Sequence, residues 1–248
     1  MTRWLLISIL FLLPGTASAQ TVVQAANNIN TSTSVSTLSV TISTTSGNMV
    51  CILEGSSVSG DNTTPTDSAS QTGYVFIVSG TGGNAAQISA YCKGNSAALS
   101  SATCNWTTTV ANAGCVVYEI SGVLSSSFTD GNAAGGTTSM VTTSTSGSLT
   151  TSNTNDILIF GNRTGANQSS TFFTAGSGYT IPTNATNARM GVQYKVVTAT
   201  QSAVTTTMTY ATTAVNENIF FAIQAPSASF SGSAANGPSR SAGPAVIH

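Results

Sequence analysis

Few side chains in this chain can do chemistry. Its 248 residues include four cysteines, one histidine and seven acidic residues: Glu54, Asp61, Asp67, Glu119, Asp130, Asp156 and Glu217. A Ser-His-Asp or Cys-His mechanism needs an imidazole held in the fold. The one histidine is the terminal His248, so triad chemistry and histidine-ligated metal hydrolysis are set aside. Carboxylate chemistry remains, because a glycoside hydrolase needs only two carboxyl groups about 5–9 Å apart. Glu54 in MVCILEG and Glu119 in CVVYEI lie on apolar strand candidates. Glu54 is three residues past Cys51 and Glu119 four past Cys115. If those cysteines face one another on neighbouring strands, the two carboxylates fall on opposite faces and cannot share a site. A strand lysine such as Lys195 is then the expected partner of Glu119.

Three further groups could bind rather than catalyse. SGDNTTPTDSAS sets Asp61, Asn62 and Asp67 in one loop, and such hard oxygen ligands suit calcium. The competing expectation is turn chemistry, with Asp and Asn capping their own backbone and Pro65 fixing a bend. Trp106 and Tyr74 are aromatic candidates for a sugar platform, with core packing the commoner fate of a lone tryptophan. The threonine rows TSTSVSTLSVTISTT and VTTTMTYATT have no constant period, so an ice-binding lattice is set aside in favour of an uncharged solvent face.

The cysteines depend on the compartment. MTRWLLISILFLLPGTASAQ has a basic start at Arg3, a short apolar run to Leu13, and Ala17-Ser18-Ala19 before Gln20. This predicts a secretory signal peptide over residues 1–19 and a protein that is periplasmic or extracellular, without membrane insertion. In an oxidising compartment four cysteines form two disulfides in one of three pairings. CKGNSAALSSATC can return one strand beside the next. The expected pairing is Cys92 with Cys104 and Cys51 with Cys115. No C-x-x-C is present for redox work, and the spacings are too long for a zinc site.

Positioning falls to β-strands. Helical patterns are nearly absent after the leader, while short apolar runs recur between Gly, Asn, Ser and Asp clusters. Alternation is clear at Leu38, Val40, Ile42 and at Val204, Thr206, Met208, Tyr210; DILIF and NIFFAI are continuous apolar runs, as in strands central to a core. About a dozen strands predict an all-β, jelly-roll-like antiparallel β-sandwich, a single domain over residues 20–226. Residues 227–248, rich in Ser, Gly, Ala and Pro, are expected to be a disordered tail. Apolar residues make up 40% and charged residues 5%. That balance supports a packed core and gives no basic stripe for nucleic acid.

Several segments follow one another in a familiar order: SGNMVCILEGSS, TPTDSASQTGYVF, GCVVYEISGV, NTNDILIFG, TAGSGYTI, VQYKVVTAT and ENIFFAIQA. Together they resemble a loose, mostly uncharacterised group of secreted bacterial and phage-associated β-sandwich modules, whose members carry strings such as TDSAGNTY, VYEYSG, NDLLVG and EYKVV. The resemblance implies a jelly-roll-like sandwich in a surface or extracellular protein, and the four cysteines depart from the group as extra staples. The function expected is a non-enzymatic structural or adhesive module without a cofactor, calcium apart, binding a surface glycan or protein. A polysaccharide hydrolase with a carboxylate pair, or a self-assembling virion or filament component, are the alternatives.

Overall fold

The structure, a computed structural model, describes residues 20–58, 61–81, 87–168 and 173–226. The expected leader, the tail and His248 lie outside the described residues. The described chain is all-β and antiparallel in every pairing, with no helix among the described residues. Three sheets are stacked. The central one runs β1 (Thr21–Asn30), β8 (Ala113–Ser121), β3 (Met49–Ser56), β6 (Gln87–Lys93), β5 (Val75–Thr81). A three-stranded sheet of β2 (Val35–Thr41), β7 (Ser101–Val110) and β4 (Asn62–Asp67) lies on one face. On the other lies the sheet of β11 (Thr174–Ala175), β13 (Thr207–Gln224), β10 (Asp156–Thr164) and β12 (Met190–Val197), with β9 (Thr129–Thr145) on the flank of β13.

This layering explains why the strongest strands do not alternate. β3 and β8 are buried along nearly their whole length, because odd and even residues enter two different cores. Met49, Cys51, Leu53, Val116, Tyr118 and Ile120 meet Ile157, Ile159, Ile219 and Phe221 in the larger core. Val50, Ile52, Cys115 and Val117 meet Leu38, Val40, Cys104 and Trp106 in the smaller one. A third cluster, around Phe160, Phe220 and Met208, lines the outer face of the β10–β13 sheet. Strands alternating cleanly, such as β2, are those with one face in water. The runs AVTTTMTY and ENIFFAIQA, which read as two strands, are one continuous β13.

The disulfides differ from the expected pairing. Cys51 bonds Cys92, its directly opposite partner in the β3–β6 ladder, with Cα atoms 4.1 Å apart. Cys104 bonds Cys115 across the turn where the chain leaves the three-stranded sheet for the central one. The reason is parity. Cys51 is opposite Tyr118 in the β3–β8 ladder and Cys115 is opposite Glu54, so Cys51 and Cys115 point into different cores and cannot meet. Each core therefore carries one bridge.

Chain-entropy arguments rank the two bridges. Their sequence separations of 41 and 11 residues correspond to about 4 and about 3 kcal/mol of loop-closure stabilisation. Replacing both cysteines of a pair by Ala is expected to lower stability more for Cys51–Cys92 than for Cys104–Cys115 in urea melts. Non-reducing peptide mapping should return these two pairs; a peptide joining Cys92 to Cys104 would contradict the fold.

Candidate functional site

The acidic side chains are distributed by the three layers. Glu119 is directly opposite Val50, and Glu54 opposite Cys115. Both therefore face the three-stranded sheet, not opposite sides as the expected cysteine register required. They still cannot act together: four residues of strand separate their rows, about 13 Å. Each is buried for its own structural purpose. Glu119 is not partnered by Lys195. It accepts hydrogen bonds from Gln24 Nε2 at 2.6 Å, Asn48 Nδ2 at 2.6 Å and the Thr45 N–H at 2.8 Å. Burial pushes its carboxyl up, but these donors outweigh burial and hold it below the ordinary glutamate value. Glu54 accepts the Asn105 N–H at 3.0 Å through one oxygen, and the other has no partner. Burial raises Glu54 well above the usual range, with the Asn105 bond opposing, which favours the neutral form of this acid wedged between sheets.

The calcium candidates do not converge. Within SGDNTTPTDSAS, Asn62–Asp67 is strand and not loop, and Asn62 and Asp67 stand at the two ends of β4. Asp61 accepts from the hydroxyls of Thr107 and Thr108 at 2.9 and 2.7 Å. Asn62 donates to the Glu54 carbonyl and to Ser89 Oγ. Asp67 caps the turn after β4 through the N–H groups of Ala69 and Gln71 and accepts the Tyr74 hydroxyl at 2.7 Å. Turn chemistry thus describes Asp67. No group of three acidic or sulfur and imidazole ligands gathers among the described residues.

Neither aromatic candidate is a free platform. Trp106 is 4% exposed, packs in the smaller core, and donates its indole N–H to Asn62 Oδ1 at 2.8 Å. Tyr74 is buried, and its phenol is pushed up by burial and by the Asp67 carboxylate. The aromatic the sequence passed over is Phe76, 54% exposed on the edge strand β5. It lies directly opposite Tyr91 and meets that ring edge-on at 5.5 Å. Tyr91 and Tyr74 both belong to the smaller core. Phe76 therefore projects on the side of the central sheet where the Tyr74–Asp67 bond ties β5 to β4.

Beside it is the outer face of the three-stranded sheet. Register places Thr37, Asn105 and Thr63 in one row, Ser39, Thr103 and Thr66 in the next, and Thr41 opposite Ser101 in a third. Their neighbours Leu38, Val40, Ala102, Cys104 and Trp106 turn inward. The result is a grid of hydroxyls and one amide, with rows about 7 Å apart along the strands and columns about 5 Å apart. No charged side chain stands in these rows, since Asp67 is level with the inward-facing Ala102. The grid and Phe76 form the candidate site.

Two other charged groups lie elsewhere. Arg163 and Glu217 form a buried pair at 3.9 Å, both facing the larger core. Burial lowers Arg163 to about 10 and raises Glu217, each opposed by the other's charge. The pair fits because the facing residues are glycines: a Cβ at Gly55 would come within 3.0 Å of Arg163 Cδ, and one at Gly114 within 2.6 Å of Met190 Sδ. Asp130 and Asp156 come together on the outer face of the β10–β13 sheet. The chain matches no known protein-family model, no curated protein and no solved structure.

Glu119 supplies the sharpest test of the structural role given to these carboxylates. Glu119→Ala is expected to destabilise by about 3 kcal/mol, because it strands three donors beside a layer junction. Its carboxyl is held low in the fold, so its contribution is full above the unfolded glutamate pKa and fades as pH falls through the folded one. Urea melts from pH 7 to pH 3 should therefore show the difference between wild type and Glu119→Ala shrinking on acidification.

Proposed function

We propose that the protein is a secreted, non-enzymatic β-sandwich module that adheres to an uncharged glycan through the hydroxyl grid of β2, β7 and β4 and the neighbouring Phe76. The observation that carries this reading is the register of the three-stranded sheet, which aligns Thr37, Ser39, Thr41, Ser101, Thr103, Asn105, Thr63 and Thr66 on one face without a charge among them. A surface of this kind exchanges hydrogen bonds with sugar hydroxyls, and it has no desolvated charge to oppose a neutral polymer. Phe76 adds an exposed ring on which a pyranose face can stack. The two disulfides support an oxidising environment. The inward placement of Glu54 and Glu119 supports a module over a hydrolase, and Asp61, at the border of the grid beside Thr107, is occupied by the hydroxyls of Thr107 and Thr108.

The test is binding of the full chain to a panel of insoluble and soluble polysaccharides, with mass spectrometry of the sugars to detect cleavage. Binding of neutral glycans without cleavage is expected. Phe76→Ala should weaken it about tenfold, the equivalent of one aromatic contact of about 1.4 kcal/mol. Thr103→Lys, at the middle of the grid, should abolish it while leaving the melting temperature near wild type. Retention of binding in both variants would remove the grid from the function, and release of shortened sugars would replace the adhesive reading by an enzymatic one.

A further inference from the structure

At one pole of the molecule two carboxyl groups meet with no cation between them. Asp156 opens β10 and pairs in register with Gln224 of β13 and Val197 of β12. Asp130 lies on β9, on the other side of β13, between the Thr129–Ile223 and Asn132–Phe221 pairs. Between those pairs β13 carries the fully buried Ala222, which is opposite Leu158, so Asp156, opposite Gln224, stands diagonally across β13 from Asp130 on the same outer face. Asp130 accepts the Ser152 N–H at 2.9 Å, the Ser152 hydroxyl at 2.6 Å and the Asn153 N–H at 2.7 Å. Asp156 is 0% exposed, and neither of its oxygens takes a full hydrogen bond, the Thr151 hydroxyl standing near it.

Two adjacent buried carboxylates cannot both ionise without a large cost. The groups packed around Asp156 offer no compensating charge. β13 brings Gln224 and Ala222, β12 brings Val197, the segment before β10 brings Thr151, and β9 brings only the second acid, Asp130. The same pole gathers the two ends of the described domain. Gln20 donates to the carbonyl of Ile223, Asn153 to Gln224 Oε1, the Gln224 N–H to the carbonyl of Phe128 and the Ala225 N–H to that of Asn155.

We infer that Asp130 and Asp156 form an acid-locked clamp, a carboxylic acid and a carboxylate sharing one proton over the outer face of β13, which fastens the segment 151–155 and the end of β13 and loosens when that proton leaves. Asp156 is the acid: burial, then the Asp130 charge, raise it to about 7, with Thr151 opposing. Asp130 is the carboxylate: burial raises it, but the Ser152 and Asn153 donors prevail and hold it low. In the locked state Asp156 donates its proton to Asp130, so each buried oxygen pair is served. On deprotonation the proton passes to solvent, two negative charges are left side by side, and the segment held by Asp130 is the part free to move away. The sign is fixed by linkage. A carboxyl raised in the fold stabilises it fully below the unfolded aspartate pKa near 4, and that stabilisation drains away as pH climbs to the folded value near 7.

Hydrogen exchange of the full chain between pH 4.5 and 8.5, corrected for intrinsic rates, tests this. Protection of the Ser152, Asn153, Gln224 and Ala225 amides is expected to fall about tenfold per pH unit up to pH 7 and then level. Asp156→Asn keeps a donor facing Asp130 at every pH and should flatten the profile at high protection. Should that variant fail to fold, Asp130→Asn removes the repelling charge and should move the sloping region to lower pH. A flat wild-type profile, or an unaltered slope in either variant, would overturn the clamp. So would protection that follows added calcium at fixed pH, which would put a metal ion where the proton is assigned.

Discussion

The middle strands of the central sheet, β3, β6 and β8, have no solvent side, and most of the remaining structure answers to that. A sheet covered on both faces must be apolar at odd and even positions alike, which is why β3, β6 and β8 are buried almost throughout. It also fixes the cysteines. Alternate residues of one strand serve different cores, so Cys51 and Cys115 can each bond only within the layer gap they enter. Cys51–Cys92 then joins neighbouring strands inside the larger core, and Cys104–Cys115 joins two sheets across the smaller one. The second is the more architectural, because it ties the three-stranded sheet to the body at the turn where the chain crosses between them.

A charge-poor chain in three layers must satisfy its buried polar groups with amides and hydroxyls. Between the central and three-stranded sheets a line of such bonds runs from Gln87 through Ser79 and Ser89 to Asn62 and the Trp106 indole. On the outer face of the β10–β13 sheet Ser144, Asn216, Asn218 and Tyr210 form another. Neutral networks of this sort cost less to bury than ions. The buried ions that do occur are each placed at a particular local solution: Glu119 under three donors, Arg163 against Glu217 above paired glycines. Glu54 and Asp156 are instead pushed toward the neutral form. The same frugality leaves few charges at the described surface, with Lys93, Arg189 and Lys195 half-buried, so the interior chemistry and the outward grid have one compositional origin.

What the sequence made legible was decided by where signal and burial coincide. Leu38–Val40–Ile42, DILIF and NIFFAI announced their strands because hydrophobic pattern alone places them. β1 was missed because TVVQAANNIN reads as polar; its pairing with β8 is completed by Asn and Gln side chains that reach across to Ser39, Ser43 and Asn184. β9 was missed because its glycines read as loop. Gly136 has φ +146°, and a Cβ there would strike the backbone at Asn216 of the paired strand, so glycine here marks close approach in a sheet. Pro65 suggested a turn and instead sits at a bulge in an edge strand. The hydroxyl grid was not visible as a site, because its rows come from three segments whose register is set only by the folded sheet. Phe76 was overlooked because exposure cannot be read from an apolar run.

The edges of the sheets bear on how such a protein meets a partner. An open edge strand invites addition of another strand, and bulges, proline and covering segments prevent it. Here β1, β2, β4 and β5, the four edges of the central and three-stranded sheets, each carry a register irregularity, and β4 adds Pro65. β9 shifts register against β13 three times. β12, a regular edge, is bridged by the segment that holds Thr180 and Thr186. Strand addition is therefore opposed at β1, β2, β4, β5, β9 and β12. With the edges blunted and the central faces buried, contact with another molecule is directed to the outward faces. The three-stranded sheet offers there a regular array of hydroxyls whose order follows from its register, so the proposed glycan would be selected by hydrogen bonding and shape and not by charge.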